Sequence, residues 1–320
     1  MDYPIETAGG CKLPDAATLK RGPRVRDHSD VMKIAATITL AVAWLAVTWG
    51  RPAAGHQAPL KVFISVDMEG LTGVVAGSEV SPGGPDYGHF RAIMAAETNA
   101  AIAGAARAGA TEFVVRDSHG GKTNLLPADV SPGAQLIRGA SAGPKNMMEG
   151  IDATFGAAIF IGYHARAGTP NAVLAHTSNG NVVDFAINGV SLPEAGYNAL
   201  VAGLYGVAVV FVAGDRAFVD QARELLGPIE AVATKSAIGA GAIVSLSPAT
   251  AQRQIEEGVE RAVRARDRFQ PYRLASPYTM TLKVRKDKPL YAGAERPRAG
   301  ESVFRHTDLL EVLNAFNAMK

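Results

Sequence analysis

Short apolar runs alternate along the chain with longer amphipathic segments, and three of these runs end abruptly in polar residues. The first, residues 61–66, is followed by Asp67 and Glu69. Apolar, β-branched runs bounded by turn residues are typical of buried strands, and residues two apart project to the same side of a strand. The pattern therefore predicts a buried first strand with two carboxylates at its carboxyl end.

Two later runs repeat this arrangement. Residues 112–117 lead into His119, and residues 157–162 lead into His164. Helical crossovers between parallel strands bring the carboxyl ends of the strands to one edge of the sheet. We therefore expect both histidines to lie beside Asp67 and Glu69, and a cluster of Asp, Glu and His side chains indicates a metal site.

The order of elements predicts an α/β fold with a mostly parallel sheet and helices on both faces. Helical periodicity covers residues 87–108 and 191–204, and further strands are predicted at 182–187 and 207–212. Residues 59–228 would form the metal-binding catalytic domain. After Pro228 a strand at 229–234, a helix at 248–266, an alternating strand at 278–285 and a helix at 307–319 predict a smaller α+β domain over 229–320.

The first 58 residues differ from the rest. Residues 1–31 are polar and irregular, and we interpret them as a leader or as the result of a misassigned start site. Lys33 then precedes an uncharged apolar run, which ends in small residues at 53–55. This is the layout of a signal peptide over 32–58, and an uncleaved membrane anchor is the alternative. Either one predicts an exported protein, periplasmic or secreted, with membrane contact only through this segment.

The charge and the cysteine content limit the partners and the metal ligands that this chain can have. The net charge is +2 and no dense basic block interleaves with aromatics, which does not favour a nucleic-acid partner. The single cysteine, Cys11, lies in the leader. Intramolecular disulfides are therefore excluded, and a bound metal must use His, Asp and Glu side chains.

Other polar residues allow two interpretations each. Glu194 follows Ser191 in a Ser-x-x-Glu capping box, so it either caps a helix or joins the site. His176 ends a short apolar run and could serve as a general acid/base or nucleophile. Arg166 could steady oxyanion charge or a substrate carboxylate, or form a structural ion pair. Glu97, within the first helix, could reach the site, but we expect a surface or capping role for it.

A charge count favours two metal ions over one. Suppose that all five candidate ligands bind metal, namely Asp67, Glu69, His119, His164 and Glu194. Two Zn²⁺ ions then supply four positive charges, the three carboxylates remove three of them, and a bridging hydroxide removes the last. A single divalent ion would leave a net negative charge in a dry cleft. His nitrogen and carboxylate oxygen suit zinc, although manganese or cobalt could occupy a similar set. A metal pair of this kind can hydrolyse an amide.

The ordered motifs resemble those of the zinc-dependent D-aminopeptidases of the DppA type. They are Ser65-Val66-Asp67-Met68-Glu69-Gly70, Asp117-Ser118-His119, Gly162-Tyr163-His164-Ala165-Arg166, Ala175-His176-Thr177 and Glu194-Ala195-Gly196-Tyr197-Asn198. Each motif is short and nonspecific, but the ordered set is specific. The resemblance implies two zinc ions per chain: Asp67 bridges them, Glu69 and His164 bind one, and His119 and Glu194 bind the other.

The resemblance also implies a catalytic role for His176, a ring-shaped homo-oligomer, and release of N-terminal D-residues from short peptides such as D-Ala-D-Ala. Two rival functions remain at this point. One is another dinuclear-metal amidase or hydrolase with the same site. The other is a non-catalytic periplasmic peptide-binding protein, which would have no need of a proton-transfer histidine at position 176.

Overall fold

The computed structural model describes residues 59–239 and 241–320. The stretch Ala58–Lys320 forms one compact unit. The predicted leader and the predicted signal peptide or anchor lie outside the described residues. Within the described part of the chain, no helix combines the length and the apolar character needed to cross a bilayer.

The strands and helices are numbered in chain order. The strands are β1 (Leu60–Val66), β2 (Ala110–Asp117), β3 (Ala134–Ile137), β4 (Ala157–Tyr163), β5 (Val182–Ile187), β6 (Val190–Ser191), β7 (Val209–Asp215), β8 (Glu230–Ile238), β9 (Ala242–Ser245), β10 (Tyr278–Val284), β11 (Glu295–Arg298) and β12 (Glu301–His306). The helices are α1 (Tyr87–Arg107), α2 (Glu194–Leu204), α3 (Arg216–Leu226), α4 (Pro248–Arg264) and α5 (Leu309–Met319).

Seven strands form the main sheet, in the order β3-β2-β1-β4-β7-β8-β9. All neighbours pair in parallel except β8 and β9, which pair antiparallel. Strand β1 lies between β2 and β4, the two other strands whose ends carry candidate ligands. The mostly parallel sheet predicted from the sequence is confirmed.

Apolar side chains on the two faces of the sheet enter separate cores. On β1, Val62 and Ile64 belong to a core that also contains residues of α1 and α4. Phe63 points to the opposite core, which contains residues of α2, α3 and α5. Because alternate residues of a strand face opposite sides, a strand buried on both faces reads as a continuous apolar run. Helices on both faces are thus confirmed.

A second sheet is antiparallel and has the order β11-β12-β10-β5-β6. Its strands β5 and β6 precede residue 228 in the chain, whereas β8 and β9, which follow residue 228, extend the main sheet. The strand pairing therefore does not follow the predicted domain boundary at 228. The long-range pairing of Phe185 in β5 with Leu282 in β10 leaves no trace in local periodicity.

Candidate functional site

The ends of three adjacent strands carry the first four candidate residues. Asp67 and Glu69 follow β1, His119 follows β2, and His164 follows β4. The Asp67 N–H donates to the Ile161 carbonyl over 2.8 Å, which continues the pairing of β1 with β4 past the last strand residue. The expected convergence at one edge of the sheet is what the structure shows.

One cluster consists of Asp67, Glu69 and His119, whose ligand atoms all lie within 4.8 Å of one another. His119 Nδ1 lies 3.2 Å from Asp67 Oδ1 and 3.0 Å from Glu69 Oε2. Glu69 therefore contacts His119, which the resemblance assigns to the other zinc ion. The division of ligands between two zinc ions stays a prediction.

A second cluster consists of His164, His176 and Glu194. Glu194 Oε1 lies 3.8 Å from His164 Nε2 and 3.7 Å from His176 Nε2. The two imidazole rings stack with their centroids 4.1 Å apart. Asp67 Oδ2 lies 3.5 Å from His164 Nε2, so Asp67 connects the two clusters, which is the position a bridging ligand needs.

The three histidines share one hydrogen-bond arrangement. His164 Nδ1 bonds the Ala165 carbonyl at 3.0 Å, and His176 Nδ1 bonds the Leu174 carbonyl at 2.9 Å. His119 uses Nε2 for the Val80 carbonyl at 2.8 Å. A carbonyl only accepts, so each of these nitrogens carries a proton, and the opposite nitrogen of each ring faces the carboxylates, where it donates when the ring is protonated and can bind a metal ion when the ring is neutral. Metal-binding histidines are commonly oriented in this way.

The residues fit zinc. His164 Nε2 is buried and has no hydrogen-bond partner among the described residues, although a buried polar atom is normally satisfied. A metal ion between His164, Asp67 and Glu194 would satisfy it. The donor set is nitrogen and carboxylate oxygen, which zinc accepts, and the charges of three carboxylates favour a cation there.

The electrostatics of the clusters agree with a strong cation site. Burial opposes protonation of His119, but its hydrogen bonds to Asp67 and Glu69 and their charges outweigh burial and raise its pKa to about 11. Burial opposes protonation of His164 as well, while the charges of Glu194, Glu69 and Asp67 raise its pKa to about 9. The carboxylates thus draw positive charge into the site strongly enough to overcome desolvation.

Glu194 does not cap its helix. The N-cap of α2 is Pro193, and Ser191 lies in β6. The carboxylate instead turns toward the site, where its Oε1 accepts a 2.6 Å hydrogen bond from the Ser178 N–H. Of the two interpretations of Glu194, the capping box is therefore wrong, because a residue paired within a strand cannot serve as the N-cap.

A buried polar network beneath the clusters ties the strand ends together. Ser65 Oγ shares hydrogen bonds of 2.6 Å with Ser118 Oγ and 2.7 Å with the Tyr163 hydroxyl. Asn198 of α2 donates to the Tyr163 hydroxyl over 3.1 Å. One network therefore links β1, β2, β4 and α2, the elements that carry most of the candidate ligands. Preorganisation of this kind fixes ligand positions.

The loop after β1 is held by β8 from the main sheet. Lys235, which is 2% exposed, donates from Nζ to the carbonyls of Glu69 and Leu71. Thr234 donates from Oγ1 to the Gly70 carbonyl over 2.7 Å. Three consecutive carbonyls of the loop thus accept hydrogen bonds from β8. Burial lowers the pKa of Lys235 to about 8, and the charge of Asp215 partly offsets this decrease.

His176 and four of the candidate ligands, Asp67, Glu69, His119 and Glu194, line a cavity of about 280 Å³. Arg166 is not among its lining residues; it lines a separate cavity of about 260 Å³ with Gln221 and Glu224. Within one chain the structure therefore does not bring Arg166 to the two candidate metal-binding clusters. Arg166 follows His164 by only two residues in the sequence. The backbone turns away from the clusters there, and the Arg166 N–H donates to Gln221 Oε1 over 3.1 Å.

Sequence reasoning missed two lysines and misjudged one glutamate. Lys122 and Lys320 also line the 280 Å³ cavity. The Gly-Gly pair before Lys122 was the available signal for a tight turn there, whereas nothing local marks Lys320. Glu97, expected at the surface or in a cap, is fully buried and accepts a 3.0 Å hydrogen bond from the Thr72 N–H.

Known proteins share both the sequence pattern and the fold. Residues 60–318 match the peptidase M55 family, described as D-aminopeptidase. The chain is 41% identical over 212 residues to the D-aminopeptidase of Bacillus subtilis strain 168, which covers 66% of this chain and 77% of the relative. The solved Zn-dependent D-aminopeptidase DppA from Bacillus subtilis, described as a self-compartmentalizing protease, superposes with a TM-score of 0.76 at 35% identity, covering 81% of this chain and 96% of that chain. The resemblance inferred from the motifs is thereby confirmed, and the chain belongs to the M55 family of D-aminopeptidases.

Proposed function

We propose that this chain is a two-zinc aminopeptidase that removes the N-terminal residue from short peptides beginning with a D-amino acid, such as D-Ala-D-Ala. The observation that carries the proposal is the pair of ligand clusters, joined through Asp67, at the carboxyl edge of the sheet. The D-aminopeptidase activity of the Bacillus subtilis relatives supports the reaction, and the zinc dependence of DppA supports the metal.

The ligands assigned to zinc are Asp67, Glu69, His119, His164 and Glu194. When bound, two zinc ions activate a water molecule and polarise the substrate carbonyl. The three carboxylates offset most of the four positive charges, so the remaining charge suits an amide substrate and the oxyanion that forms from it. The buried network below holds the ligands in place, so that little reorganisation accompanies the reaction.

His176 is assigned to proton transfer. Its Nδ1–H is committed to the Leu174 carbonyl, while Nε2 lies 3.7 Å from Glu194 Oε1 at the wall of the cavity. The ring is half-buried and reachable from the cavity, as a group that exchanges protons with substrate must be. Nε2 is therefore placed to give a proton to the leaving amine.

The assembly and the cellular location are further proposals. The self-compartmentalizing description of DppA supports a ring-shaped homo-oligomer for this chain. The predicted signal at residues 32–58 supports export, with membrane contact only if that segment is retained. An exported enzyme of this kind would act on D-Ala-containing peptides outside the cytoplasm.

The test compares hydrolysis of D-Ala-D-Ala and L-Ala-L-Ala by the wild-type protein, by His176→Ala, and by His89→Ala, a matched control at an exposed histidine of α1. We expect D-selective turnover by wild type and His89→Ala, and loss of at least about 100-fold in His176→Ala with its zinc content unchanged. Zinc-loaded wild-type protein that cleaves neither dipeptide would contradict the proposal.

A further inference from the structure

Two lysines from distant parts of the chain meet at the wall of the site cavity. Lys122 lies in the turn after β2, with φ +61°, and Lys320 follows α5. Both line the cavity that contains Asp67, His176 and Glu194. Neither lysine is among the candidate metal ligands, and zinc coordination gives an ammonium group no role.

The two ammonium groups have unused hydrogen-bonding capacity. Lys122 Nζ donates to the Ser118 carbonyl, and Lys320 Nζ donates to Asn317 Oδ1 over 2.8 Å. An ammonium group has three donors, so each lysine can make further hydrogen bonds. Within residues 59–239 and 241–320, neither lysine forms an ion pair with a carboxylate. Neither lysine therefore contacts a carboxylate of the two clusters directly.

The lysines are held in the site at an electrostatic cost. Burial lowers the pKa of Lys320 to about 8, the charge of Glu194 opposes that shift, and the charge of Lys122 adds to it. Lys320 still carries its charge through most of its population at pH 7. Two positive groups kept near each other in a partly buried cavity are stabilised by an anion that both can bind.

The net charge of the zinc-bound site also favours an anionic substrate. Two Zn²⁺ ions and three carboxylates leave one positive charge, and a bound hydroxide removes it. The two lysines then add two positive charges that the peptide amide, which is neutral, does not balance. A substrate with a carboxylate close to the scissile bond would offset one of these charges and could accept hydrogen bonds from both lysines.

We propose that Lys122 and Lys320 bind the C-terminal carboxylate of the substrate and thereby select dipeptides with a free carboxyl group; this inference rests on the function proposed above. Consecutive Cα atoms are about 3.8 Å apart, so a dipeptide carboxylate lies one residue beyond the scissile amide. The cavity of about 280 Å³ is at the small end of ligand sites, which suits a dipeptide. A longer peptide would place a neutral amide against the lysines.

The experiment compares D-Ala-D-Ala with its C-terminal amide as substrates of the zinc-loaded protein. The variants are Lys122→Met and Lys320→Met, which keep the unbranched chain and remove the charge. Lys122→Arg and Lys320→Arg keep the charge and test for rescue. Lys283→Met, at a half-buried position of β10 outside the cavity, where the lysine pairs with Asp184, is the matched control.

In the wild type we expect a lower KM for the acid than for the amide. Each Met variant should raise the KM for the acid by about 10- to 100-fold, the usual worth of a hydrogen bond to a charged group, while the KM for the amide and kcat for both stay near wild type. The Arg variants should recover part of the loss. Equal effects on acid and amide, or no preference in the wild type, would overturn the proposal.

Binding measured by calorimetry separates this proposal from the hydrolytic one. If the wild type cleaves neither ligand, the proposed function fails, but the two affinities still decide whether the lysines recognise a carboxylate. Tighter binding of D-Ala-D-Ala than of its amide, lost in the Met variants, supports recognition by the lysines. Equal affinities for both ligands in the wild type would overturn it.

Discussion

The substitution Gly70→Ala tests whether the close approach of β1 and β4 positions the metal ligands. A Cβ at Gly70 would lie 1.8 Å from the Tyr163 carbonyl oxygen and 2.6 Å from the Gly162 carbonyl carbon. Both contacts are with backbone, which cannot rotate away as a side chain can. The Gly70 N–H also donates to the Gly162 carbonyl over 2.7 Å, so the two segments are held together at this point.

The expected loss of stability follows from the 1.8 Å distance between the added Cβ and the Tyr163 carbonyl oxygen. A carbon–oxygen contact needs slightly more than 3 Å, so the two segments must separate by roughly 1.5 Å. Overpacking of this kind typically costs about 1–3 kcal/mol in the free energy of unfolding. Glu69 precedes Gly70, and His164 follows Tyr163, so the separation also spreads the ligands. A misplacement of about 1 Å can lower a rate by about 100-fold.

Two other glycines provide controls. At Gly104, in the contact between α1 and α4, a Cβ would lie 2.2 Å from the Glu256 carbonyl oxygen. Gly104→Ala should therefore lose comparable stability without spreading the ligands. Gly88, near the start of α1, has no atom within 4 Å of a Cβ, and Gly88→Ala should keep or slightly gain stability.

The assay is competitive zinc titration against a chelator, together with urea unfolding, for all three variants. We expect Gly70→Ala and Gly104→Ala both to lose stability, and only Gly70→Ala to lose zinc affinity, by at least about 10-fold. The reasoning would be refuted by a Gly70→Ala protein that binds zinc as tightly as Gly104→Ala does.

Three further predictions concern the groups around the site. Lys235→Met leaves the carbonyls of Glu69 and Leu71 without their donor, so urea unfolding should show a loss of about 2–4 kcal/mol; an unchanged midpoint would contradict this. Burial raises the pKa of Glu97, partly offset by hydrogen bonds from Thr72 and the charge of Lys235. The folded state therefore binds this proton more tightly than the unfolded state, and wild type loses stability as the pH rises above about 4.5. Glu97→Gln should consequently be more stable than wild type at pH 7, by a margin that shrinks toward pH 4.5; a margin independent of pH in urea titrations would argue against it. Removal of metal with a chelator should lower Tm, because a ligand that binds only the folded state stabilises it, and zinc but not magnesium should restore Tm in differential scanning fluorimetry; equal restoration by magnesium would count against a nitrogen-containing ligand set.

Local patterns were enough to predict where the first candidate ligands lie. Residues 61–66 and 157–162 read as buried strands because they are apolar on both faces, and the structure has β1 and β4 there. The polar residues after such strands are placed by the parallel topology alone, so Asp67, His119 and His164 converge as expected.

Features set by contacts between distant segments were not predictable in the same way. The sequence around Ser191 fits a capping box, but pairing of β6 with β5 withdraws Ser191 from that role and frees Glu194 for the site. The assignment of β8 and β9 to the main sheet depends on the pairing of β8 with β7 and of β9 with β8, not on their own periodicity. Lys320 reaches the cavity only because α5 packs on the core that contains Phe185.

The most direct test of the two-zinc site is anomalous X-ray diffraction from crystals of the zinc-loaded protein, with data collected on both sides of the zinc absorption edge. We predict two zinc peaks roughly 3.5–4 Å apart, both near Asp67, with the ligand atoms of His119, His164 and Glu194 at about 2.0–2.2 Å from a peak. A single zinc peak in this cavity, or zinc bound only elsewhere on the chain, would contradict the account.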